Sequence, residues 1–538
     1  MYPFAKGVSR RRGTAATAAA LLCVLFLTLL SACGNSAEGS GKRTLRIVAP
    51  DGVPADFYLG TAYPLGIFSM YQMAWALFLP GEDDFSITNG LASSYRASSD
   101  GLVHTIGVKE GFTFHDGSPV DAEAVAKVLH SYLFANDPLR DEGPYGAVSA
   151  AFGSPSIVRE VKVVDPGSVK VVLSQARSDI RDQLLQMPIL NPKVLAKPGY
   201  GKSVKDLRDA GSGPFRITDF SPGEFVEFER YPKFPEKVSL DRLRLQQVAD
   251  PAARALAMQG KNADVVLDLA PEDHKRLAGI DGNKEYAATP SSNVFFRFFT
   301  PKHPELKDPR VRKAIWLALD RDAYRTAFFN PTSSHKVDQP VVVKGVQGYN
   351  DGLDDLNHDL AQAKALMQQA GVQRLTLRAI TMESSGPILS LRRLHEAIAA
   401  DLKKIGIDVK IDVVDSATYL SDRYNYDYEV LWYGNSFNPD FIFRLFYLGY
   451  PKPWAAPSPL ADRRVADLVT HASTEVDRAK QVAAWQELQR LNNEELFMGV
   501  PIVSVGTSAV ASSRVRDFEL GWNNRGALVW LFKNVAVG

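Results

Sequence analysis

Cysteine is nearly absent: Cys23 and Cys33 are the two in 538 residues, too few for a disulfide framework. A charge excess of one sign is absent as well. Lys and Arg total 62 against 61 Asp and Glu, a formal net charge of +1, which argues against a nucleic-acid binder. Nine histidines show no His-Glu-x-x-His or comparable ligand spacing, which excludes the familiar zinc-hydrolase pattern. The Gly-x-Ser-x-Gly elbow of serine hydrolases is missing around Gly211-Ser212-Gly213. Gly201-Lys202-Ser203 is not a phosphate loop, because Ala196 stands where its first glycine belongs. No apolar run after Leu30 approaches the roughly 18 residues that span a bilayer. These gaps leave no catalytic residue, no metal ligand set and no cofactor motif.

What is present is an ordinary globular composition, 45% hydrophobic and 23% charged, in a chain long enough for two or three domains. Its start differs from the rest. Lys6 and Arg10 to Arg12 precede an apolar run from about Ala15 to Leu30, and Leu30-Ser31-Ala32-Cys33 follows. A short apolar segment ending in small residues predicts a secretory signal over 1–32. Cleavage before Cys33 removes four of the 62 basic residues and no acidic one, leaving 58 against 61 and a net charge of −3. Residues 33–42, rich in Gly and Ser, read as a flexible tether.

The most informative stretch runs from Val108 to Leu129. Phe112 and Phe114 alternate as in a half-buried strand, and His115-Asp116-Gly117-Ser118-Pro119 is turn chemistry. Asp121 can cap a helix whose buried face carries Ala124, Val125, Val128, Leu129, Tyr132 and Leu133. Further on, Asp308 caps and Pro309 opens a helix with Val311, Ile315, Ala318 and Leu319 on one face. Val161 to Leu173 predicts a hairpin around Asp165-Pro166-Gly167, and Ile67 to Leu79 a helix. Beyond residue 359, helices and strands alternate: a helix to Ala370, a strand 375–380, a helix 388–405, a strand 407–413 and a helix 479–496. That alternation implies α/β architecture with crossover connections.

The wording of these stretches resembles the peptide- and nickel-binding solute receptors of ABC importers known as family 5. Phe114-His115-Asp116-Gly117-x-Pro119 and Asp308 to Arg321 carry the resemblance most strongly. Asn89 to Tyr95, Gly211 to Phe215 and Gly260 to Val265 add to it in the right order. Leu30 to Cys33 also resembles a bacterial lipobox, which implies lipidation of Cys33 and anchoring to the outer face of the cell membrane, or facing the periplasm. The implied fold is α/β and two-lobed, of the type II periplasmic-binding-protein or flytrap kind. Its first lobe spans 43–292 with an extra subdomain at about 66–190, its second lobe 293–499, and 500–538 return to the first. The lobes are expected to hinge near Ser292–Phe296 and Pro501–Val505.

The resemblance implies a receptor and not an enzyme, working as a monomer. It captures a solute, expected to be a short peptide, and delivers it to a permease and ATPase. A nickel or metallophore complex, a sugar or another modified small molecule is the alternative cargo, and a lipid-anchored hydrolase the rival class. Ligand contacts are expected at Tyr71, Trp432, Tyr433, Gly434, Asn435, Phe437 and Asn438. Peptide-binding members carry an acidic residue for the ligand's amino terminus where this chain has Asn435. No cofactor is implied.

Overall fold

The computed structural model describes residues 43–538 apart from 62–66, 82–85, 142, 144, 146–147, 149–151, 153–155, 178, 281, 299–302, 354–355, 384–389, 435–461 and 521–534. The expected signal segment and tether, with Cys33, lie outside the described residues.

Two large sheets organise the chain. The first has seven strands in the order Lys284–Ala287, Ser508–Ala511, Val265–Leu267, Thr44–Ala49, Arg242–Gln247, Phe225–Arg230 and Phe215–Ser221. Thr44–Ala49 runs parallel to both Arg242–Gln247 and Val265–Leu267. The second sheet has six strands, ordered Ser334–His335, Gly499–Val505, Ser292–Phe298, Tyr428–Gly434, Leu375–Thr381 and Ile407–Val413. Leu375–Thr381 and Ile407–Val413 pair in parallel through the crossover helix Leu391–Lys403, as the alternating pattern requires.

A separate four-stranded sheet, ordered Ala92–Ala97, Val103–Val108, Ser168–Leu173 and Val158–Asp165, forms the subdomain. Val158–Asp165 and Ser168–Leu173 are the expected hairpin. The helix Ala122–Leu133 packs on this sheet, capped by Asp121, whose carboxylate accepts from the Ala124 amide at 2.8 Å. The four-stranded and seven-stranded sheets share one continuous core, in which Ile106, Val125 and Val171 meet Leu45, Phe215 and Val265. The subdomain is therefore packed into the first lobe and is not a tethered module.

The second lobe is a three-layer body. Val294, Phe296 and Phe298 point to a core with the helix Pro309–Ala318 and Leu391–Lys403. Phe295, on the opposite face of the same strand, packs with Val341, Val342, Val343 and Trp485. Period-two alternation thus sends one strand's side chains into two cores.

Two sequence expectations need correcting. Ile67 to Leu79 is not one helix: helix covers Ile67–Met73, and Phe78–Pro80 is a short strand paired with Ile87–Asn89. Every residue from Phe68 to Leu79 is buried, so apolar periodicity there reports burial on all sides and not a helix face. The strand Gly499–Val505, expected to re-enter the first lobe at 500, pairs in the second sheet.

Candidate functional site

The chain passes between the two sheets twice, over 288–291 and over 506–507. The passages run side by side. The Ala288 amide donates to the Thr507 carbonyl at 2.8 Å and the Ser291 amide to the Val505 carbonyl at 3.2 Å. A Cβ on Gly506 would lie 2.5 Å from the Ala288 carbonyl oxygen, so only glycine permits this approach. The expected hinge strands Ser292–Phe296 and Pro501–Val505 are the second-lobe ends of these passages, paired to each other through Ser292 and Val505.

The cleft edge follows from this register. Val265–Leu267 and Thr44–Ala49 run in parallel, and Leu267 lies opposite Ala509, just past the second passage. The carboxyl ends of these first-lobe strands therefore face the crossings, where open α/β sheets place ligands. On the second-lobe side, Tyr428–Gly434 ends at the same place: Gly434 pairs with Ser292, Tyr433 with Asn293 and Trp432 with Val294. Gly434, the last residue of this strand, thus lies beside the crossings. Asn435, Phe437 and Asn438 lie outside the described residues.

Tyr71 is part of the first-lobe core. It is 2% exposed, and its hydroxyl donates to the Leu185 carbonyl at 2.6 Å, which ties it into the first-lobe core. The register brings Trp432, Tyr433 and Gly434 to the crossings.

Sequence reasoning missed Asp268. It follows the strand Val265–Leu267 at a positive φ of 47°. Its amide donates to the Ser508 carbonyl at 2.9 Å, and its carboxylate accepts from the Ser508 amide at 3.0 Å. Burial pushes this carboxyl up to about 6, against the pull of the Ser508 amide and the Arg254 charge. Arg254 is fully buried and donates to the carbonyls of Leu267, Val248, Ala249 and Asp268. The pair fixes the returning strand one residue past the crossing. The sequence signal, an acid directly after Val265-Val266-Leu267, is visible only once the strand's end is known to face the cleft.

The second-lobe wall holds a buried ionic group. Arg297 and Glu429 are cross-strand partners, with Nη1 3.6 Å from Oε1. Arg423 places Nη1 3.9 Å from Oε2, and the Tyr419 hydroxyl donates to the same oxygen. Glu429 lies three residues before Trp432 on the strand that leads to the crossings.

The residues that invite a catalytic reading are engaged structurally. His115 Nε2 donates to the Gly213 carbonyl at 3.0 Å and the His115 amide to the Gly211 carbonyl at 2.8 Å. Burial holds the imidazole neutral, lowering it to about 4. Asp116 accepts from the Ser118 amide at 2.8 Å, as a turn residue does. Ser212 donates to the Ile189 carbonyl at 2.9 Å and accepts from the Trp75 amide at 3.2 Å. Among the described residues no three His, Cys, Asp or Glu side chains are grouped to hold a metal, and no helix is long and apolar enough to cross a membrane.

Known proteins share both sequence and architecture with this chain. Residues 86–454 match the pattern of the bacterial extracellular solute-binding proteins, family 5 Middle. The di/tripeptide-binding protein 2 of Pseudomonas aeruginosa is 25% identical over 498 residues, 87% of this chain and 91% of that protein. Among solved structures, the ABC transporter-associated periplasmic binding protein DppA of Helicobacter pylori, in complex with the peptide STSA, superposes with a TM-score of 0.77. That match is 18% identical and covers 92% of this chain and 98% of that one. NikA of Brucella suis, in complex with Fe(III)-EDTA, gives 0.76 at 20% identity over 91% and 99%. These likenesses establish the two-lobed α/β fold, and the pattern match covers well over half of the chain. The chain belongs to the family 5 extracellular solute-binding proteins.

Proposed function

We propose that this family 5 solute-binding protein captures a short peptide between its lobes and delivers it to an ABC permease and its ATPase, without catalysing a reaction. The observation that carries the reading is the register at the crossings: the end of Tyr428–Gly434 and the carboxyl ends of the first-lobe strands face one another across the passages. An extended peptide held there gains backbone hydrogen bonds whatever its side chains. The name of the Pseudomonas aeruginosa relative, similar over 87% of this chain, supports peptide as the cargo. Trp432, Tyr433, Gly434, Asn435, Phe437 and Asn438 then contact the ligand. The first lobe comprises 43–291 with 506–538, and the second 292–505. Cys33, preceded by Leu30-Ser31-Ala32, anchors the mature monomer by lipid on the outer face of the membrane.

Calorimetry with a dipeptide library, carrying free or acetylated amino termini, tests the cargo. Asn435→Asp places a carboxylate where an ammonium is expected. A charge-assisted bond is about twice as strong as a neutral one, so affinity for free peptides rises roughly tenfold while acetylated peptides gain nothing. Absence of peptide binding in both proteins overturns the reading and favours a metallophore-type cargo, as in the structural neighbour bound to Fe(III)-EDTA. Mass spectrometry of co-purified material then identifies it.

A further inference from the structure

The lobes also meet away from the crossings. Gly101 sits at the tip of the hairpin joining Ala92–Ala97 to Val103–Val108, at φ +68°. A Cβ placed there would lie 2.5 Å from Val476 Cγ1 and 3.3 Å from the Ala176 Cβ. Val476 belongs to the corner between the second-lobe helices Arg463–Thr474 and Arg478–Arg490. It is 44% exposed, an apolar side chain seated on the other lobe's edge and not in either core.

Charge accompanies this contact. Asp182, in the short helix Ile180–Leu184, and Arg478, the first residue of the second-lobe helix, act on each other: each favours the other's charged form. Burial, the largest cause, and the charge of Asp179 raise the Asp182 carboxyl to about 7, with Arg478 and Arg181 opposing the rise. Within the subdomain the neighbouring charges are already engaged. Asp179 accepts from Arg177 Nε at 2.6 Å and from Gln183 Nε2 at 2.8 Å. Arg181 donates to the Ile87 carbonyl at 3.2 Å and lies over the Phe78 and Tyr95 rings. His104 bonds the Tyr95 hydroxyl and the Gly101 carbonyl. The cation that compensates Asp182 from outside its own lobe is Arg478.

We propose that this corner is a latch. Val476 and Arg478 of the second lobe seat on Gly101 and Asp182 of the first when the lobes are shut, and this contact favours the closed form whatever the ligand. A contact made only in one of two conformers shifts their equilibrium by its own free energy. It acts on the lobes' separation, at a contact outside both passages. The proposal rests on the lobes closing, not on the cargo being a peptide.

The test uses the full chain in detergent micelles, with Cys23 and Cys33 changed to serine and new thiols at Ala176→Cys and Val476→Cys. The rate of cross-linking by a short bis-maleimide, measured without ligand, reports how often the corner meets its seat. We expect efficient cross-linking, slowed about threefold to fivefold by Arg478→Glu, the range for losing a solvent-screened charge attraction. Asp182→Lys combined with Arg478→Glu restores the rate, which a merely structural role for either residue does not predict. Arg478→Gln serves as a milder variant if the reversal unfolds the chain. Failure of the thiols to cross-link overturns the latch, and so does a rate indifferent to the charge at 478.

Discussion

The two lobes carry the two strongest sequence signatures, and each works by a different physical means. In the first lobe, Phe114 to Pro119 meets Gly211 to Gly213 by close backbone approach. A Cβ on Gly211 would lie 2.0 Å from the Met73 carbonyl oxygen and 2.4 Å from His115 Cε1, and one on Gly213 2.9 Å from the Met73 carbonyl carbon. In the second lobe, Asp308 to Arg321 works by long side chains reaching carbonyls. Arg312 donates to Leu496 at 2.7 Å, Leu306 at 2.7 Å and Lys307 at 2.9 Å, and Arg321 donates to Val337 at 2.8 Å. One joint depends on having no side chain, the other on having a long charged one. Among the described residues, the hydrogen bonds of each signature stay within its own lobe. What identifies the family here is chiefly what holds each lobe rigid.

The difference is sharpest where backbone meets backbone. Gly211→Ala forces its methyl against the Met73 carbonyl, which has no flexible end to move aside. A loss of about 4 kcal/mol is expected, at the upper end of single substitutions. The urea midpoint measures it, and native-state hydrogen exchange should place the loosening in the first lobe. A near-neutral Gly211→Ala breaks the account of the first joint.

Arg312→Met tests the second joint. The methionine fills the volume but leaves three carbonyls without their donor in a site where Arg312 is 3% exposed. About 3 kcal/mol should be lost, with exchange faster in the second lobe and unchanged at His115. Loss confined to the first lobe contradicts the assignment.

Each lobe also buries a neutral histidine, so acid should act on both alike. His115 and His395 are each lowered to about 4 by burial, with a carbonyl bond opposing the shift. An unfolded histidine takes its proton near pH 6.5, while the folded ones refuse it until about 4. Between these values the unfolded chain binds more protons, so stability is full above about 6.5 and falls as pH drops. Each histidine should contribute about 2 kcal/mol of loss between pH 7 and 5. Urea midpoints at the two pH values check this; His115→Gln should remove one share of the slope, and an unchanged slope counts against a buried neutral ring.

Much of this was legible because its signals are local. The turn at His115–Pro119, the caps Asp121 and Asp308 and the hairpin 158–173 each depend on residues within a few positions. The position of the second passage was not. All seven residues of Gly499–Val505 are buried, so the strand has no polar face to show which sheet it serves. Tyr71 reads from sequence as an aromatic available to a ligand, because its Leu185 partner is 114 residues away. Gly506 and Asp268 matter only through contacts across the crossings, which no local pattern encodes. The aromatic pair Trp432-Tyr433 is visible in the sequence, but its place at the crossings required the register of Tyr428–Gly434 against Ser292–Phe298.

The smallest expected difference concerns the two caps. Asp121 accepts from the Ala124 amide and Asp308 from the Arg310 amide, both at 2.8 Å, and a lost cap generally costs about 1 kcal/mol. The helices they open are not equally placed. The first turn after Asp121 buries Ala122 and Val125 and leaves Glu123 exposed and Ala124 half-buried; its buried side chains are apolar, so fraying there breaks no side-chain hydrogen bond of theirs. The first turn after Asp308 contains Val311, fully buried, and Arg312, whose three carbonyl bonds lie on the preceding turn and on Leu496. The Arg310 ion pair with Asp308 is largely exposed and adds little of its own. Asp121→Ala should therefore cost about 1 kcal/mol and Asp308→Ala about 2, the excess coming from Arg312 losing its alignment. In an Arg312→Met background that excess should vanish, leaving the two caps equal. If Asp308→Ala costs no more than Asp121→Ala in the parent chain, the cap and the carbonyl clamp act separately.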